Sequence, residues 1–289
     1  MQSRVGGRNH SVLEETLAAA KASSPRDSES ASSRLDQAPL ICVTETSTRL
    51  VSLLDPASVG AEKFRVLAIR LKKLQEESPL KKLLITSSIK GEGKSVISAN
   101  LALALARRQR TLLIDGDLRQ SGLRELLALG GLPGLGDWWR GSEDILGLVR
   151  RVPDLPLWCL PAGSAVEQPL EILQSQRLSE MLSEITAWFD WVIIDSPPLL
   201  PVADPGVWAT HVDGALLVVR QEKTPKKVLN KSVESMDNLK LLGVVINEWE
   251  DRSHQHYANA GYGPITNARN SKLSVRKTSS LPSPLGSQE

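Results

Sequence analysis

Residues 81 to 95 read Lys-Lys-Leu-Leu-Ile-Thr-Ser-Ser-Ile-Lys-Gly-Glu-Gly-Lys-Ser: a short apolar strand, a glycine-containing turn, and a Lys94-Ser95 pair that opens a helix. The spacing is that of a phosphate-binding loop, with Ser88 in the first position, where glycine is usual, and Gly91 and Gly93 in the turn. Glycines lacking a Cβ let successive backbone N–H groups turn inward towards phosphate oxygens, and the helix start adds the positive end of its dipole. Ser88, Ile89, Lys90, Gly91, Glu92, Gly93, Lys94 and Ser95 are therefore the candidate nucleotide-binding residues. Lys94 suits the terminal phosphates and Ser95 suits Mg²⁺. The bland alternative is a surface turn between strand and helix, and only the surrounding chain decides against it.

Downstream, strands and helices alternate. Ser95 to Arg108 carries Ile97, Leu101, Leu103 and Leu105, the pattern of a helix packed on a parallel sheet, and its terminal arginines suit a helix C-terminus. Thr111 to Asp117 is an apolar strand ending in two carboxylates, Asp115 and Asp117, whose two-residue spacing directs both into one site. Acids at the carboxyl end of a parallel strand lie where open α/β sheets bind ligands; capping or turn-forming aspartates are the alternative. Asp190 to Pro198 repeats the device, four apolar residues running into Asp195, which reads as the Mg²⁺-directed acid of a nucleotide site. Strands at 157–160, 215–219 and 242–246, with helices over 170–188 and 226–239, complete an α/β, mostly parallel sheet with helices on both faces, the architecture of a P-loop NTPase. Asn247 follows the last strand, where its amide either reads an adenine edge or ends the strand. The glycine-rich stretch 130–136 has no preceding strand and no following Lys-Ser, so it reads as structural.

The chain has 289 residues, 41% of them hydrophobic, enough for one sizeable core with tails. A net charge of +2 gives no argument for nucleic acid. Cys42 and Cys159 are far apart without metal-ligand spacing, which fits a reduced compartment. Without a secretory pattern or an apolar run of spanning length, a soluble cytoplasmic protein is expected. Residues 1–57, rich in Ser and charge, read as a disordered arm, in which Val12, Leu13 and Leu17 share one face of a short helix over 11–21. The domain spans 58–250 and begins with an amphipathic helix over 62–77, in which Phe64, Leu67, Leu71 and Leu74 recur at helical spacing. A polar tail over 251–289 holds Tyr257 and Tyr262, the only tyrosines, which are the candidate phospho-acceptors.

Ser88 to Ser95, Leu112 to Arg119 and Val192 to Pro198 together resemble the three nucleotide motifs of bacterial tyrosine kinases of the capsular and exopolysaccharide type. These belong to the deviant-Walker P-loop ATPases that include ParA and MinD. Ile-Asp-Gly-Asp-Leu-Arg resembles that group's Walker A′ motif, which implies Asp115 and Asp117 as catalytic and Mg²⁺-organising carboxylates beside Lys94, and Arg119 as a supporting residue. By the same resemblance the metal falls to Ser95, Asp117 and Asp195, and the cofactors are ATP and Mg²⁺. Ile89 stands where partitioning ATPases carry a signature lysine, and Lys90 where the kinases have proline. Glu62, Phe64, Arg65 and Leu67 are similar to the family's assembly helix, although Ala68 replaces an arginine. The resemblance thus implies a homo-oligomer, held at the inner face of the plasma membrane by a separate membrane-anchored activator of the chain-length-regulator type. The activity implied is transfer of the ATP γ-phosphate to tail tyrosines, in the control of polysaccharide polymerisation and export. The competing classes are a nucleotide-dependent assembly regulator without kinase chemistry and a ParA/MinD-type positioning ATPase.

Overall fold

The computed structural model describes residues 32–41, 48–141, 144–200, 202–236 and 240–248. Seven strands form one sheet: β1 (Lys82–Ser87), β2 (Thr111–Asp115), β3 (Arg150–Arg151), β4 (Leu157–Leu160), β5 (Trp191–Asp195), β6 (Gly214–Arg220) and β7 (Leu241–Asn247). Their order is β3-β4-β2-β5-β1-β6-β7, parallel throughout except for the β3–β4 pair. The longer helices are α1 (Val59–Glu77), α2 (Lys94–Leu105), α3 (Gln176–Thr186) and α4 (Lys226–Glu234).

Central strands with apolar residues at nearly every position are buried on both faces, as a parallel sheet between helices requires. Side chains alternate between two cores. Leu83, Ile85, Leu113 and Ile193 share one with Leu71 of α1 and Ile97, Leu101 and Leu105 of α2. Leu84, Leu112, Ile114, Val192 and Ile194 share the other with Leu178, Met181, Leu182 and Ile185 of α3. β1 lies between β5 and β6, so the chain leaves β1 towards β2 on one side and returns to β6 on the other. That reversal opens a crevice at the strands' carboxyl ends, the usual ligand position in open α/β sheets. Pairing of Asp115 with Asp195 puts the ends of β2 and β5 level, while β1, whose Ile85 pairs with Asp195, runs two residues further to Ser87.

Several boundaries depart from expectation. α1 starts at Val59 because Ser58 caps it, its side chain accepting from Ala61 N at 3.1 Å. The single helix expected over 170–188 is two, Pro169–Leu173 and α3, because Ser175 caps a new start by accepting from Leu178 N. The helix expected over 226–239 is described only to Glu234. The stretch at 130–136 packs backbone to backbone, Leu135 N and Gly136 N donating to Pro161 O and Ala162 O at 2.9 and 2.8 Å.

The largest correction concerns the N-terminal arm. Residues 32–36 are helical and Leu40 bridges Arg151 beyond β3, so this segment straps the sheet edge. Leu35 is fully buried, and the Trp158 indole N–H donates to its carbonyl at 2.7 Å. Leu50 is likewise buried, beside a helical turn at Val51–Leu54. Leu35 is anchored by a partner 123 residues away, and no local periodicity announces such anchoring. The helix expected over 11–21, Cys42, Tyr257 and Tyr262 lie outside the described residues.

Candidate nucleotide site

The loop between β1 and α2 turns on two glycines in the left-handed region, Gly91 at φ 87° and Gly93 at φ 93°. A side chain in that region is strained, so both residue types follow from the turn itself. Glu92 is 3% exposed, and its side chain folds into the loop it belongs to. One carboxylate oxygen accepts from Ile89 N at 2.9 Å, and the other accepts from the Thr224 hydroxyl after β6. Asn247, at the end of β7, donates its amide N–H to Glu92 O at 2.9 Å and occupies the space that a Cβ on Gly93 would need. Its amide nitrogen is thereby committed to the loop backbone. Ser88 is buried and its hydroxyl has no hydrogen-bond partner among the described residues, whereas Lys90 is exposed.

Lys94, at the first position of α2, reaches back over the crevice. Its ammonium lies 3.0 Å from Asp117 Oδ2 and 4.0 Å from Asp195 Oδ2. Burial works against this charge, but Asp195, Asp117 and Asp115 outweigh it and hold the lysine pKa above its ordinary value. Ser95 begins the same helical turn and is also buried. Ser98, one turn on, donates to Asp195 Oδ1 at 3.0 Å. Asp195 is fully buried; burial raises its pKa, against the pull of Lys94, Ser95 and Ser98.

The two acids after β2 have different surroundings. Asp117 accepts from Gln120 N at 2.9 Å while its other oxygen faces Lys94. Asp115 receives the Ser121 hydroxyl on Oδ2, while Oδ1 is buried without a hydrogen-bond partner among the described residues. Burial, then the Asp195 charge, pushes Asp115 up to about 7, the Ser121 hydrogen bond opposing them. Arg119 is turned away from Lys94: its Nε and Nη2 engage both oxygens of Asp204, at 2.8 and 3.0 Å.

The crevice thus gathers Lys94, Ser95, Asp115, Asp117 and Asp195, with Ser88 and the loop backbone at its rim. Three carboxylates exceed one ammonium, and Asp115 Oδ1, Asp195 Oδ2 and Ser88 Oγ are buried without hydrogen-bond partners among the described residues. Such orphaned oxygens are costly unless something with positive charge or donors completes them, which a hydrated divalent cation would do. Among the described residues no three His, Cys, Asp or Glu side chains form an all-protein metal cage. Mg²⁺ in phosphate sites shares its shell with phosphate oxygens and water, so the donor set present here fits it. Sequence reasoning missed the side-chain role of Glu92 and also Thr224, Ser98, Ser121 and Asp204. Only Ser98 carried a local signal, lying four residues from Lys94 on one helical face.

A family model described as the CobQ/CobB/MinD/ParA nucleotide binding domain matches residues 83–263. The tyrosine-protein kinase YwqD of Bacillus subtilis (strain 168) is 31% identical over 215 residues, 73% of this chain and 91% of YwqD. The succinoglycan biosynthesis transport protein ExoP of Rhizobium meliloti (strain 1021) is 33% identical over 199 residues, 67% of this chain but 25% of ExoP. Among solved structures, the chimerical protein CapA2B2 superposes with a TM-score of 0.67 at 28% identity, covering 77% of this chain and 99% of that one.

Proposed function

The chain belongs to the CobQ/CobB/MinD/ParA nucleotide-binding family, among its bacterial tyrosine-protein kinases, and from that premise we propose that it is an ATP-dependent protein-tyrosine kinase of capsule or exopolysaccharide biosynthesis. The observation that carries the site assignment is the convergence of acids from two strand ends on the phosphate-loop lysine, Asp117 at 3.0 Å and Asp195 at 4.0 Å.

Within this reading Ser88 to Ser95 bind the nucleotide, Lys94 neutralises the transferring phosphoryl group, and Ser95, Asp117 and Asp195 hold Mg²⁺. The cation, when bound, offsets charge on the phosphate oxygens. Asp115 or Asp117 orients the tyrosine hydroxyl. As the phenolic oxygen bonds to the γ-phosphorus, the bond to the bridging β–γ oxygen breaks, ADP leaves, and the phenolic proton passes to the carboxylate. A free tyrosine pKa of about 10 makes that transfer late, with the carboxylate acting first as a positioner. Tyr257 and Tyr262 are the proposed acceptors, since the chain has no other tyrosine.

The likeness to CapA2B2 and ExoP supports a membrane-anchored regulator as partner; the proposed homo-oligomer at the inner membrane face rests instead on the resemblance of Glu62, Phe64, Arg65 and Leu67 to the family's assembly helix. Among the described residues no helix is long and apolar enough to cross a membrane. The test is incubation of the protein with γ-labelled ATP and Mg²⁺, alone and with its activator's cytoplasmic segment. Label on phosphotyrosine, lost in Tyr257→Phe/Tyr262→Phe, is the expected result. Label released only as free phosphate would replace the kinase with an ATPase that regulates assembly.

A further inference from the structure

The acidic loop after β2 is fastened by contacts that play no part in the assignments above. Gly116 N donates to Asp195 O at 2.8 Å, and Gly116 O accepts the Trp208 indole N–H at 3.1 Å. A Cβ on Gly116 would lie 2.9 Å from Ile194 Cγ2, and 3.0 Å from Asp195 O and Trp208 Cε2, so the loop is pressed flat against β5 and that ring. Three residues later, Arg119 grips Asp204 with two parallel hydrogen bonds. Asp204 and Trp208 stand at the two ends of one short helical turn, Asp204–Trp208, and both are buried, at 1% and 0% exposure. The turn is itself held, for His211 packs edge-on to Trp208 and its Nε2 lies 2.8 Å from Leu173 O.

Asp117 lies between these two fastenings. Its carboxylate is therefore directed by anchors on both sides, in addition to its own contact with Gln120 N. The partnership also limits what Arg119 can do. Asp204 is a buried carboxylate whose charge is met by this guanidinium, and releasing the arginine would leave the charge uncompensated. An arginine so engaged is not available to swing onto a phosphate.

We propose that Asp204 and Trp208 are positioning residues that seat the acidic loop through Arg119 and Gly116, and that Arg119 is a tether and not a phosphate ligand. This rests on the kinase reading for its effect on turnover, but not for its effect on the loop. The variants are Asp204→Asn, which keeps the shape and removes the charge; Arg119→Lys, which keeps the charge and removes the fork; and Trp208→Phe, which keeps most of the ring and removes the N–H. Each is assayed for kcat and for KM of ATP in labelled phosphotyrosine formation, and for amide exchange over residues 116–121 and 88–95 in the nucleotide-free full chain.

Asp204→Asn should lower kcat by about 10–100-fold while KM for ATP stays within about threefold, because the grip on the phosphates is separate from the aim of the carboxylate. Exchange over 116–121 should rise about tenfold and exchange over 88–95 should not change. Arg119→Lys should fall between wild type and Asp204→Asn, and combining the two should cost no more than Asp204→Asn alone, as for partners in one interaction. Trp208→Phe should raise exchange over the same six residues. A kcat within twofold of wild type in Asp204→Asn would overturn the proposal. So would exchange rising across the whole domain, which marks a merely structural role, or Arg119→Lys acting chiefly on KM for ATP, which marks a phosphate ligand. If the wild-type protein forms no phosphotyrosine, the kinase reading fails, and exchange over 116–121 still decides the seat.

Discussion

The phosphate loop and the acidic loop face each other across the end of β5, yet they are held in opposite ways. In the first, Gly91 has nothing among the described residues within 4 Å of where a Cβ would stand, and its requirement is the backbone angle. In the second, Gly116 has no left-handed angle, and its requirement is space. The first loop is latched by its own Glu92, reaching Thr224 and Asn247 at the β6–β7 side. The second is seated from the β5 side by Asp204 and Trp208, which lie 85 and 92 residues along the chain from their partners. A loop defined by backbone conformation announces itself in its own residues, whereas one defined by fit is written elsewhere in the chain.

The sharpest way to break the comparison is to remove the residue both loops share. Lys94→Met should lower ATP-dependent phosphotyrosine by at least about 100-fold, because it deletes the proposed phosphate contact and also leaves Asp117 and Asp195 facing each other unneutralised. Activity within tenfold of wild type, read from γ-label on tyrosine, would sink the site assignment.

Next comes a test of the acidic loop alone. Asp115 has a folded-state pKa of about 7, raised from 3.8, so the folded protein binds this proton more tightly than the unfolded chain does. Its contribution to stability is therefore lost as pH rises from about 4 to about 7 and is flat above, by up to about 4 kcal/mol. Denaturant titrations of the nucleotide-free protein should show that decline. In Asp115→Asn it should shrink to the share left by Asp195, whose pKa is also raised, and the variant should be more stable than wild type at pH 8.

The two glycines then compare directly. Gly116→Ala should destabilise by about 1–3 kcal/mol through overpacking. Gly91→Ala should cost about 1–2 kcal/mol, through the left-handed angle alone. If Gly116→Ala proved harmless in thermal melts, the loop would not be seated as tightly as the contacts at 2.9–3.0 Å require.

The smallest effect is at the latch. Asn247→Ala should weaken nucleotide binding by about 1 kcal/mol, roughly fivefold, through the lost bond to Glu92 O. Titration with ATP and GTP separates the two roles considered for this amide: equal weakening marks the latch, and weakening for ATP alone marks adenine reading.

This contrast also accounts for what could be read before the fold was known. The apolar runs at 83–87, 111–115 and 191–195 are buried on both faces and have strand length, so their burial pattern is local, and the acids that end the latter two stand out. The loop glycines and the Lys94-Ser95 pair are equally local. Asp204 has no such context: it follows a proline-rich connection, and an aspartate there reads as an ordinary turn residue until Arg119 is seen to grip it. Trp208 reads as one more apolar residue until its N–H is found on Gly116 O. Glu92 was legible as a member of the loop but not as its staple, because Thr224 lies 132 residues away. The strap at 32–41 fails for the same reason, its polar sequence hiding one fully buried leucine.

That strap bears on the order in which the molecule assembles. The bond from Trp158 to Leu35 spans 123 residues, so forming it closes nearly half the chain into a loop. Closure entropy rises with such separation, and a contact of this range contributes nothing until β4 and its neighbours exist to receive it. The strap should therefore dock late, after the sheet has formed. Leu35→Ala would then accelerate unfolding while leaving the refolding rate nearly unchanged, the signature of an interaction absent from the transition state.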